Sequence, residues 1–219
     1  KVIYEKFLNL VTESQLLDKE ISIKTHILKP TEAIGNPDRD DFPLLKGKEV
    51  LMEATFEGKK GQVYTDVPSN FIGSLKEIFT LSLKNSHQRA LFIAALNAVI
   101  RYLYPDIKTI HCKNNEPEEC AKEIINFIKK LNPASVGLIG LQPAILDTLA
   151  NTFGANNVVC VDRNEDNFGK VKYGVSIGWG DIQGMENVFK KTEVVLATGS
   201  TVVNGSIIEI LRFAQAYNC

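Results

Sequence analysis

The sequence predicts an α/β protein of two domains, and three observations predict it. In the second half, short apolar runs without polar alternation (135–140, 158–162, 175–177 and 193–197) are separated by helical segments. Strands that are apolar throughout and separated by helices belong to a parallel sheet covered on both faces, here a Rossmann-like domain. The first half instead mixes helices with an alternating strand and a hairpin, the pattern of an α+β domain. Between the halves, residues 105–117 are polar and irregular apart from 107–112, which puts the boundary at an N-terminal domain of 1–108 and a C-terminal domain of 109–219. The chain has 219 residues, enough for one large or two small cores.

The elements follow in order. Ile3, Phe7, Leu10 and Val11 recur at helical spacing and predict a helix within 2–17. Residues 21–27, which include His26, alternate as a half-buried strand. A polar loop with prolines spans 30–43 and holds Asp38, Arg39, Asp40 and Asp41. Strands at 49–56 and 61–65 flank a turn at 57–60, a hairpin pattern. Helices are expected at 74–83 and 88–103; the second is apolar on most faces, hence buried, and Pro105 ends it. Pro117 suits the first turn of a helix with Ala121, Ile124, Ile125, Ile128 and Leu131 on its core face. In the C-terminal half the helices are 143–153, stopped by Gly154, then 184–191 and 207–216.

Composition removes several function classes. The 25 basic residues are balanced by 26 acidic ones, net −1, so binding nucleic acid through bulk positive charge is not expected. With 44% hydrophobic and 23% charged residues the chain is an ordinary globular one. No apolar run approaches the roughly 18–20 residues of a membrane helix, and Glu5 interrupts any secretory-signal layout. The four cysteines, Cys112, Cys120, Cys160 and Cys219, form no C-x-x-C pair. A reducing cytoplasm is the expected compartment.

In an open parallel sheet, ligands bind beyond the carboxyl ends of the strands, which nominates four loops. The first contains Gly140, but its surroundings lack the G-x-G-x-x-G fingerprint, and a tight turn is the alternative to a phosphate cradle. The second starts at Asp162, 22 residues beyond Gly140, where dinucleotide-binding domains place a ribose-binding acid. A carboxylate there could grip a ribose or a metal, or cap its own turn. The third joins Trp179, Gly180 and Asp181; the tryptophan could wall a pocket or pack in the core, and the acid could hold a ligand or cap the next helix. The fourth runs from Thr198 through Gly199, Ser200, Thr201 and Asn204 to Gly205, a concentration of hydroxyl and amide groups suited to an oxyanion, with Thr201 or Ser206 as N-cap in the plainer reading. In the N-terminal half, Asp66 and Asn70 follow the hairpin, where an Asx turn is the alternative, and Arg89 could offer a guanidinium fork. His111, Cys112 and Cys120 match no zinc spacing.

The run Val194-Val195-Leu196-Ala197-Thr198-Gly199-Ser200-Thr201-Val202-Val203-Asn204-Gly205 resembles the signature of a prokaryotic family labelled "putative heavy-metal chelation". Residues 137–145, 88–102 (with Arg89 and Ala94-Ala95-Leu96-Asn97-Ala98) and 61–65 agree with it. The resemblance implies an N-terminal domain similar to that of enolase, a Rossmann-like C-terminal domain and a ligand cleft between them.

The expected function is binding of a small anionic molecule or a metal complex through Asp66, Asn70, Arg89, Gly140, Asp162, Trp179, Asp181, Gly199, Ser200, Thr201 and Asn204. A divalent metal is the candidate cofactor; the candidate donors are oxygens, which suit hard cations better than soft ones. The alternative is an enzyme of transferase or lyase type in the same cleft, moving protons through Asp66, Asp162 or Asp181. A partner protein without chemistry is a third reading. The broken glycine fingerprint argues against a dehydrogenase, and the missing glycine run against a methyltransferase.

Overall fold

Aromatic residues organise the first half. Helix α1 (Val2–Glu13) buries Phe7 and Val11, and Phe7 packs against Phe79 and Phe92 with ring centroids 5.0 and 5.4 Å away. Tyr4 stacks on Phe92 and donates its hydroxyl hydrogen to the Phe79 carbonyl at 2.8 Å. This computed structural model describes residues 2–24, 34–42 and 50–219. Residues 25–27 of the predicted strand, with His26, lie outside the described residues, as do 30–33, Pro43 and Glu49.

Four strands form an antiparallel sheet: β1 (Glu20–Lys24), β2 (Val50–Phe56), β3 (Lys59–Thr65) and β4 (Phe71–Ser74), in the order β3-β2-β1-β4. Glu57 and Gly58, at φ +45° and +75°, make a two-residue turn, the hairpin geometry that matches strand twist. The turn is two residues shorter than predicted, so Lys59 and Lys60 belong to β3. The predicted helix at 74–83 is also shorter: α2 is Leu75–Ile78, closed at its start by a capping box between Ser74 and Glu77. The residues before it pair with β1 as β4, so the long prediction merged a strand end, a one-turn helix and the turns that follow.

Helix α3 (Ser86–Leu103) buries Ala90, Ala94, Ala95 and Ala98 along with Leu91, Phe92 and Val99. Its small residues let β3 approach closely. Asn97, the polar interruption of this apolar segment, is half-buried and donates from Nδ2 to the Gln62 carbonyl at 2.9 Å.

The second half is a five-stranded sheet in the order β7-β8-β6-β5-β9. Strands β5 (Val136–Ile139), β6 (Val158–Asp162), β8 (Val175–Trp179) and β9 (Val194–Ala197) are parallel, and the two-residue β7 (Val171–Lys172) is an antiparallel edge. In chain order the parallel strands read 3-2-1-4, as in half of a dinucleotide-binding sheet. Side-chain alternation divides the core. Val136, Leu138, Val158 and Cys160 pack with helices α4 (Glu116–Lys129) and α5 (Pro143–Phe153), while Ile139 and Val161 pack with α6 (Ile182–Lys191) and α8 (Ile207–Tyr217). Pro143 opens α5 and Gly154 ends it, as predicted. The short helix α7 (Ser200–Asn204) was not predicted; its residues read as loop because they are hydroxyls and β-branched.

Backbone contacts divide the chain into two units: Lys1–Gly35 with Gly47–His111, and Asn36–Lys46 with Cys112–Cys219. Among the described residues no helix is long and apolar enough to cross a membrane.

Cys160 lies in the β6 core, and burial pushes its thiol up to about 12. Because the folded value lies above that of a free thiol, the stability that this neutral thiol supports is complete below the ordinary thiol range. It is lost as pH rises toward 12. Native labelling with iodoacetamide at pH 8, read by mass spectrometry, is expected to modify exposed Cys120 first. Exposed Cys219, whose thiol burial also raises, follows, and Cys160 reacts only on unfolding.

Candidate functional site

The strand order singles out one place in the C-terminal unit. The chain leaving β5 turns onto the α4/α5 face, whereas the chain leaving β9 turns onto the α6/α8 face. Neighbouring strands whose continuations part in this way leave a crevice beyond their carboxyl ends. The loops that meet at this place are residues 140–142 after β5 and residues 198–200 after β9.

Gly140 has φ +89°, and a Cβ there would lie 2.5 Å from Thr198 Oγ1, so only glycine fits against that hydroxyl. The Thr198 amide donates to the Ile139 carbonyl at 3.0 Å, and the Thr198 and Ser200 hydroxyls are 2.8 Å apart. Both side chains are half-buried and Gly199 is exposed, with no atom within 4 Å of where its Cβ would stand. The crevice therefore presents a pair of hydroxyls beside open backbone.

Thr201 is 4% exposed and donates its hydroxyl hydrogen to the Thr198 carbonyl at 2.7 Å, so it shapes the turn from within. Asn204 accepts from the Ser206 amide and hydroxyl at 2.9 and 2.7 Å, which ends α7 and starts α8. Of the two residues named as possible N-caps, Ser206 holds that position in α8, without a side-chain bond, whereas Thr201 lies inside α7, whose N-cap is Gly199.

Asp162 is fully engaged. Its Oδ2 accepts from the Leu141 amide at 2.7 Å; its Oδ1 accepts from the Asn164 amide at 2.8 Å and from Asn167 Nδ2 at 3.0 Å. It thereby braces the β5 turn against the β6 turn, and Gly180 joins them by donating to the Asp162 carbonyl at 2.8 Å. Asp181 caps α6, accepting from the Gly184 amide at 2.7 Å. Trp179, half-buried, meets Phe168 edge-on at 5.9 Å.

In the N-terminal unit, Asp66 and Asn70 are exposed after β3. The turn there is made by Thr65, whose hydroxyl oxygen accepts from the Val67 amide at 3.1 Å. Arg89 donates from NH1 to the Leu83 carbonyl at 3.0 Å and from NH2 to Ser86 Oγ at 3.3 Å, tying the entry of α3.

A second polar constellation lies in the C-terminal unit, around Arg39. Its NH2 donates to Asp147 Oδ2 at 2.5 Å, its NH1 to the Tyr173 hydroxyl at 2.6 Å, and its Nε lies 3.2 Å from Glu118 Oε1. The guanidinium carbon is 5.2 Å from the Tyr173 ring centre. Tyr173 donates in turn to Asp41 Oδ2. Burial, with the bond to Asp41, raises the Tyr173 phenol well above its ordinary value. Burial lowers Arg39, but the Asp147 bond and the nearby charges more than offset it, so its net shift is upward. The run Asp38-Arg39-Asp40-Asp41 is visible in the sequence, but no local pattern pairs it with Asp147 and Tyr173, over 100 positions away.

Among the described residues, no group of three or more His, Cys, Asp or Glu side chains is arranged to hold a metal ion. Residues 124–218 match the model of a family described as "Putative heavy-metal chelation". Over that stretch the chain is similar to this family. The matched segment contains every strand of the parallel sheet, the loops after β5 and β9, Asp147 and Tyr173, whereas Arg39, Asp41 and Glu118 lie outside it. No curated protein and no solved structure matches the chain.

Proposed function

We propose that the C-terminal unit binds a small polar ligand, a metal complex or an oxyanion-bearing metabolite, in the crevice at the carboxyl ends of β5 and β9. The observation that carries this reading is the strand order, which parts the chain at these two strand ends. The Thr198 and Ser200 hydroxyls and the exposed backbone at Gly199 supply neutral donors and acceptors at that point. Such groups recognise the oxygens of an organic ligand or of a ligated complex better than they recognise a bare soft cation. The family description supports metal as the cargo of such a complex.

The test is native mass spectrometry of the chain purified without chelator or added metal. A stoichiometric adduct is expected, and a double variant Thr198→Val/Ser200→Ala is expected to lose it while keeping its fold. Those hydroxyls bond to each other rather than to the backbone, so their removal leaves the turn intact. A bare polypeptide mass, or an adduct that the double variant retains, overturns the reading.

A further inference from the structure

Residues 36–42 are remote in sequence from the rest of the C-terminal unit, yet they are bonded to it along their length. The Asn36 amide donates to Asn114 Oδ1 at 2.9 Å. Asp38 receives 2.9 Å from Asn115 Nδ2 and returns its amide to Asn115 Oδ1 at 3.3 Å. Arg39 is the centre of this strap, and its receptor comes from three elements: Glu118 of α4, Asp147 of α5 and Tyr173 of the β7–β8 turn. Asp147 is oriented for the task, since its other oxygen accepts from Asn151 Nδ2 at 2.8 Å.

The receptor has the chemistry of a guanidinium site: two carboxylates at right distances, a phenol oxygen and an aromatic face. The charges around it are unbalanced. Asp41, Glu118 and Asp147 surround the single Arg39 charge, and Asp38, Asp40, Glu119 and Lys122 line the same open cavity of about 680 Å³. Asp41 Oδ1 and Glu118 Oε2 are buried without a hydrogen-bond partner among the described residues. Removing the guanidinium leaves like charges facing one another, which expels the strap.

We infer that Glu118, Asp147 and Tyr173 form a guanidinium-binding site that the chain fills with its own Arg39, making residues 36–42 a displaceable strap. A ligand bearing a free guanidinium competes for this site and releases the strap. The site is separate from the crevice at β5 and β9, and the inference does not depend on that reading.

Chemical rescue of the full chain tests it. In Arg39→Ala, hydrogen exchange at the amides of 36–42 is expected to rise by about tenfold or more, with the sheet amides unchanged. Methylguanidinium is expected to restore protection saturably, and sodium chloride at the same ionic strength is not. N-acetylarginine amide tells the two sources apart: rescue by it as well admits an arginine side chain of a peptide, and rescue by methylguanidinium alone restricts the site to small guanidino compounds. If Arg39→Ala does not fold, Arg39→Lys and Asp147→Asn take its place. Lysine keeps the charge but not the fork, so methylguanidinium is still expected to improve protection. Unchanged exchange in these variants, or rescue no better than by salt, overturns the inference.

Discussion

Gly61→Ala is expected to destabilise the N-terminal unit by about 3 kcal/mol, the upper part of the range for overpacking a close contact. A Cβ at this position would lie 2.1 Å from the Ala98 nitrogen, 2.5 Å from the Asn97 carbonyl carbon and 2.7 Å from the Ala94 carbonyl oxygen. All three are backbone atoms of α3, so no rotamer change relieves the clash and the helix must move as a body. Its displacement also stretches the Asn97–Gln62 bond, which holds the helix to β3 next to the glycine. Two controls isolate the cause. Ala98→Gly added to Gly61→Ala is expected to give no rescue, because the obstacle is backbone. Gly58→Asn, at the turn where nothing lies within 4 Å and φ is +75°, is expected to be close to neutral, since asparagine tolerates that conformation. Urea unfolding with an unchanged slope and a lowered midpoint checks the first expectation. A midpoint equal to that of the parent chain would show that α3 yields at little cost.

What was legible in the sequence follows from how local each signal is. Helix α5 was read to the residue because Pro143 and Gly154 punctuate it, and β6 because its apolar run ends at an acid. Strand β4 went unpredicted for the opposite reason: Phe71 and Ile72 pair with Ile23 and Ser22, 48 and 50 residues away, and no local pattern reports such a pairing. Asp162 and Asp181 were both recognised as strand-end acids, but their hydrogen-bond partners decide their work. Asp181 caps the helix that starts at Ile182 by accepting from the amide three residues on, a bond that local spacing allows one to foresee. Asp162 reaches Leu141, 21 residues back, which only the alignment of β5 with β6 makes adjacent. The same limit hid the Arg39 cluster. Its charge run was visible, but Asp147 and Tyr173 become its neighbours only when the strap lies on the folded sheet domain.

Asp162→Ala carries the second large effect, a loss of about 2–3 kcal/mol, because it leaves the buried Leu141 amide without an acceptor and releases two donors on the β6 turn. Asp162→Asn separates bracing from charge. An asparagine has one carbonyl oxygen, which can satisfy Leu141 or the Asn164/Asn167 pair but not both. Its NH2 group then faces an N–H donor on the other side. Its stability should therefore fall between those of the parent and the alanine variant. Hydrogen exchange gives the local readout: the Leu141 amide is expected to exchange faster in both variants, while amides of α3 in the other unit do not change. The turn that Asp162 holds bears Gly140, which abuts Thr198, so loosening it also widens the crevice at β5 and β9. A ligand held there is expected to bind more weakly to Asp162→Asn in proportion to the exchange at Leu141. An acid that touched the ligand directly would behave otherwise: the asparagine variant would lose the ligand while its Leu141 amide stayed protected, and that result would move Asp162 from the brace of the site into its lining.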